Sequence, residues 1–92
     1  MQGARHATRA AVATPSDTTD HKKTLGFYVG GADQAEEGAI TIAWLDSAGT
    51  ASITCLFRVP VGVTIPIAGF RRVMSTGTTL PTTNGQVVVF YE

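Results

Sequence analysis

The sequence predicts an all-β protein: a small antiparallel β-sandwich or barrel of about six strands, preceded by an extended amino-terminal arm. Two observations carry the prediction. Beyond residue 24, apolar and polar residues alternate with period two, and turn signals recur about every eight to twelve residues. No segment carries a helical period of useful length, because the one candidate, residues 4–13, has only alanines and Val12 on its apolar stripe.

Ninety-two residues make one domain. A chain this short buries only roughly 60–65% of the surface its unfolded form exposes, so the core is thin. Hydrophobic residues make up 43% of it and charged residues 15%, a balance that favours completing burial in an oligomer or larger assembly. Seven basic and seven acidic residues cancel, which removes the electrostatic warrant for a nucleic-acid partner. No run of eighteen or more apolar residues exists, and the amino terminus lacks the apolar core of a signal peptide, so neither membrane span nor secretion signal is expected.

Residues 1–24 are set apart as the arm, with residues 25–92 as the β domain. The arm holds Arg5, Arg9, Lys22 and Lys23 and both histidines, His6 and His21, among small polar residues. At Thr14-Pro15-Ser16-Asp17 the proline pushes Thr14 to extended geometry, and the Ser and Asp side chains can bond nearby amides in a turn. Residues 25–29 alternate as a strand with Leu25, Phe27 and Val29 on one face, closed by Gly30-Gly31. Residues 32–38 are a polar loop, and residues 39–45 put Ile40, Ile42 and Trp44 on one face. Asp46-Ser47-Ala48-Gly49 then turns the chain into an antiparallel hairpin with residues 50–59.

That second hairpin strand has the cleanest alternation: Ala51, Ile53, Cys55, Phe57 and Val59 against Ser52, Thr54, Leu56 and Arg58. It is expected to be the core strand, with Cys55 a small buried thiol and Phe57 a central ring. Pro60 and Gly62 mark a corner, and Pro66 confines residues 63–67 to an edge. Residues 70–75 read as a strand with Arg71 and Arg72 on opposite faces. Asn84-Gly85 is the strongest hairpin signal, and Pro81 again suggests an edge. Residues 86–91 are apolar on both faces, as in a central strand or one covered by a neighbouring subunit.

Chemistry is sought without result. The two histidines are too far apart for a ligand pair, Cys55 has no cysteine partner, and no nucleophile elbow occurs, so no catalytic residue, metal ligand or cofactor site is expected. Asp17 and Asp20, or Glu36 and Glu37, read as solvated turn residues rather than an acid-base pair. The aromatics could stack bases on an OB-like barrel beside Arg58, Arg71 and Arg72, but alternation puts most of them on core faces. A carbohydrate platform would have only Trp44, whose alternation with Ile40 and Ile42 argues burial. Residues suited to assembly contacts are Arg5 and Arg9, which can dock on an acidic neighbour, Pro15 and Asp17 of the arm turn, and the Arg71-Arg72 pair.

Taken in order, ATPSDTTD, LGFYVGGA, FRVPVGVTIPI, FRRVMSTGTT and VVVFY resemble a small family of tailed-phage and gene-transfer-agent proteins described as spike base proteins. The shared pattern covers about residues 12–92: the Thr-Pro-Ser-Asp arm at 14–17, Tyr-Val-Gly at 28–30, the Val-Pro-x-Gly-x-x-Ile-Pro corner within 59–67, Arg-Val and Thr-Gly-Thr-Thr within 72–79, and the terminal strand. This chain departs from it between residues 32 and 45, where an acidic loop and a Trp-bearing strand look longer than usual. The resemblance implies a virion structural protein on the outer surface of the capsid, made in the host cytoplasm. It would be a self-associating β domain, a pentamer or else a trimer, whose partners are the major capsid protein and a spike or fibre at the vertices. A trimeric cement protein at three-fold axes would need the same fold and arm.

Overall fold

A computed structural model of the chain describes residues 7–92 and is built from strands and turns. The strands are β1 (Arg9–Ala13), β2 (Thr24–Gly30), β3 (Glu37–Leu45), β4 (Ala51–Pro60), β5 (Thr64–Ile65), β6 (Arg72–Val73) and β7 (Gln86–Tyr91). They make two antiparallel sheets, ordered β1-β7-β2-β5 and β4-β3-β6. The sandwich alternative is therefore the one adopted, with seven strands instead of six because the arm supplies β1.

Period-two alternation explains which side chains meet between the layers. Phe27 and Val29 of β2 and Val87 and Val89 of β7 face Ile40 and Ile42 of β3, Val59 of β4, Val73 of β6 and Phe70, and all are fully buried or nearly so. At the centre, Phe27 meets Phe57 and Phe70 edge to face, with ring centroids 5.7 and 6.0 Å apart. Phe27 thus spans the opposing sheet from its β4 side to its β6 side.

The connections fix the two flanks. After β4 the chain turns through Pro60–Gly62, where Gly62 takes φ +92°, and continues into β5, so β4 and β5 share one flank. After β1 the chain runs straight to β6, where the Ser16 amide donates to the Val73 carbonyl at 2.8 Å. β1 and β6 therefore share the opposite flank.

The hairpin of β3 and β4 forms as expected, with Asp46 Oδ1 accepting from the Ala48 and Thr50 amides at 2.9 and 3.0 Å to shape the turn. β7 is central, paired with both β1 and β2; Val87 and Val89 on its inner face are fully buried, while Val88 and Phe90 on the outer face are half-buried. β5 lies at an edge, as its flanking prolines require. Residues 7–24 combine strand β1 with a turned segment, bent at residues 17–18 and with Lys23 at φ +57°, and they lie on the rest of the domain: β1 pairs along β7 and Ala13 enters the core.

Several expectations fail. β4 is an edge strand and not the core strand, because β5 opposite it is only two residues long and no layer covers the far end of β4. Ile53 is 62% exposed although it shares a face with Ile42 and Trp44. Cys55 is exposed for the same reason, and Phe57 is only half-buried. Asn84-Gly85 closes no hairpin, since its following strand β7 pairs with the distant β1 and β2. Asn84 does take φ +54°, but Pro81 is buried in the turn and not in an edge strand. The strand at 70–75 shrinks to Arg72–Val73. Leu25 leaves the core face because the β2–β7 register slips between Thr24 and Gly26.

Candidate functional site

Two surface features stand out: a clasp made by residues 15–24 over the β6 edge, and free strand edges on both flanks. The clasp begins with Ser16, whose Oγ accepts from the Thr18 and Thr19 amides at 3.2 Å, the local turn that its position after Pro15 suggests. Asp17 does something that sequence reading misses. Its carboxylate reaches across to the residues after β6, accepting from the Ser75 and Thr76 amides at 2.9 Å each and from the Thr76 hydroxyl. Nothing in local spacing signals a bond between residues 58 or 59 positions apart.

Farther along, the His21 amide donates to the Arg71 carbonyl at 2.6 Å, and Arg71 Nε donates to the His21 carbonyl at 2.9 Å. Arg72 Nε donates to Asp20 at 2.7 Å, while Arg71 reaches the same carboxylate at 3.9 Å. Arg71 precedes β6 and Arg72 begins it, and the Asp20 carboxylate lies within reach of both side chains. Arg72 also donates to the Gly49 carbonyl at 3.3 Å, tying the clasp to the β3–β4 turn. Thr24 ends the clasp fully buried, its hydroxyl donating to the Phe70 carbonyl at 2.7 Å.

Of the residues suited to assembly contacts, Asp17, Arg71 and Arg72 are thus engaged within the chain along the β6 edge, and Pro15 stands at the start of the same segment. Arg9 lies on the other layer of this flank, its guanidinium 5.2 Å from the centre of the Tyr91 ring. Arg5 lies outside the described residues. Between β1 and the clasp opens a shallow depression of about 440 Å³, lined by Arg9, Ala11, Asp20, His21, Lys22 and Tyr91. At its floor His21 Nδ1 and the Tyr91 hydroxyl are hydrogen-bonded at 2.7 Å.

The electrostatics follow from these contacts. Bonds from Thr76 hold Asp17 below the usual carboxylate range, the bond from Arg72 does the same for Asp20, and Thr82 with the Thr83 amide does so for Glu36. Burial lowers the His21 pKa and raises that of Tyr91. A histidine depressed in the folded state contributes stability above its ordinary value of 6.5 and loses it as pH falls through the folded value. Depressed carboxylates contribute above about 4 and lose their contribution as pH falls through their folded values. The melting temperature should therefore fall in two stages on acidification, starting near 6.5 and again near about 4. His21→Gln should remove the first stage and Asp17→Asn shrink the second; a flat profile from about pH 7 to 5 in the unmodified chain would contradict the His21 assignment.

The free edges lie outside the clasp. β4 runs ten residues, pairs only with β3, and presents Ile53 and Leu56, 62% and 52% exposed, on its two faces. On the opposite flank β1 pairs only with β7, and Val12 is 63% exposed. Among the described residues, no group of three or more His, Cys, Asp or Glu side chains is placed to hold a metal ion. No helix among them is long and apolar enough to cross a membrane. Phe27 and Phe70 are fully buried and offer no stacking face.

No family model, no curated protein and no solved structure matches the chain. What the fold defines by itself is a two-sheet, all-β domain with residues 9–24 bound along one flank.

Proposed function

We propose that the chain is a virion structural protein, a self-associating component of the capsid exterior that forms the base of a head spike or fibre at the vertices. The observation that carries the reading is the β4 edge. Ten residues of strand with an unpaired outer ladder and more than half-exposed apolar side chains are costly for a lone domain and useful for a subunit. Natural monomers blunt such an edge with lysines, inward charges or proline, whereas β4 carries only Arg58 and a terminal Pro60. The order of motifs shared with spike base proteins supplies the capsid setting.

On this reading the protein works by geometry and not by chemistry. Its copies close a ring, the ring rests on the shell, and the major capsid protein below and the spike or fibre above are its partners. The clasp suits that duty, because it ties residues 16–21 to the β6 edge within the subunit itself.

Gold labelling with an antibody to the chain, on particles purified from cells that produce them, tests the setting. Label confined to capsid vertices is the expected result. Label scattered over the shell would favour a cement role at three-fold axes, and particles without label, or without the chain by mass spectrometry, would end the capsid reading.

A further inference from the structure

We infer that copies of the chain associate head to tail, the β4 edge of one adding to the β1 edge of the next, so that each ring contact joins opposite flanks of two identical subunits. The inference rests on the reading above only for the existence of self-association; which surfaces meet follows from the fold. A sandwich of two open sheets has four edges, and here two of them are closed off. β6 is covered by the clasp, through the Ser16 and His21 amides bonding Val73 and Arg71. β5 is two residues long and bounded by Pro60 and Pro66.

Two edges remain among the described residues, β4 and β1, and they lie on opposite flanks. A symmetric pairing of β4 with β4 would cover one of them and leave β1 and Val12 in water. The head-to-tail pairing covers both with one kind of contact, and contacts between different surfaces generate rings when the rotation closes.

Both edges carry exposed apolar surface. Ile53 and Leu56 stand exposed on the two faces of β4. On the other flank Val12 of β1 is exposed, and the depression of about 440 Å³ between β1 and the clasp includes Ala11 and the Tyr91 ring. β4 is ten residues long and β1 five, so a shared ladder of roughly 17 Å covers about half of β4.

The exposed native Cys55, midway along β4, makes the register readable. Ala10→Cys, Ala11→Cys and Val12→Cys would each be made singly in the full chain and oxidised with copper phenanthroline, with native mass measured by light scattering. These adjacent positions sample both faces of β1. Expected is an oligomer in solution, at least one variant giving a disulfide ladder that runs past the dimer, and an unmodified chain that stays monomeric on a non-reducing gel. Leu56→Lys should reduce the native mass to that of a monomer while the chain stays folded by circular dichroism.

Disulfide dimers of the unmodified chain would show Cys55 meeting Cys55 and so a symmetric β4 pairing, which overturns the inference. A monomer in solution, or an oligomer in which none of the three variants cross-links, overturns it as well. Its failure is distinguishable from that of the capsid reading: a cross-linked ring absent from particles sinks only the latter, and label at vertices with Cys55 self-cross-linking sinks only the former.

Discussion

Phe27→Ala should cost about 3–5 kcal/mol, enough to leave so small a domain at or below the edge of cooperative folding. Phe27 is fully buried and its ring is the one that touches both Phe57 and Phe70, so truncation opens a cavity at the point where the two sheets meet. Neither sheet can collapse into it, because Val29 and Ile40 beside it are already packed. Phe57→Ala is the control. Half-buried on an edge strand, its ring should cost clearly less, and the measurement is a pair of urea melts at matched concentration. An equal or larger loss from Phe57→Ala would mean that β4 is covered after all.

Gly85→Ala should cost about 3 kcal/mol, an unusual loss for the addition of one methyl group outside the core. A Cβ at this position would collide with the backbone of Pro81, 2.7 Å from its nitrogen and 2.8 Å from its carbonyl carbon, and would press closest of all on its carbonyl oxygen. Backbone cannot swing aside as a flexible side chain can, so the turn that launches β7 would have to reopen. Gly77→Ala is a useful comparison, since its positive φ of 84° makes the penalty conformational, with the Thr41 hydroxyl only 2.8 Å from the added carbon. A Gly85→Ala chain with an unchanged melting temperature would show that the Pro81 turn is soft.

These two cases show what the sequence makes legible. Alternation located the strands after residue 24, though not β1, and most of the buried faces: Phe27, Val29, Ile40, Ile42, Val87 and Val89 all point where period two puts them. The tight β3–β4 turn was equally readable, because Asp46 and Gly49 act within their own loop. What alternation cannot reveal is whether a second layer lies above a given face. β4 has a better period than β2 and is still mostly exposed, since burial depends on the length of β5, the short strand that lies opposite it in the other sheet.

The site was harder to read for the same reason. Asp17, Asp20 and Thr24 look like turn residues in one dimension, and each finds its partner 46 or more positions away. Gly85 was singled out correctly but with the wrong cause. The Asn84-Gly85 pair suggested a positive φ at both residues, whereas Gly85 is needed for the space its missing side chain leaves to Pro81.

The position of β7 has a bearing on how the protein is made. It follows the six other strands in sequence yet lies between β1 and β2, so the four-stranded sheet has no middle until residues 86–91 have been made. Before then the β3–β4 hairpin is the long strand pair with a sequence-local partner, and β1 and β2 lack the strand that joins them. Deleting residues 86–91 therefore removes the strand that joins β1 to β2.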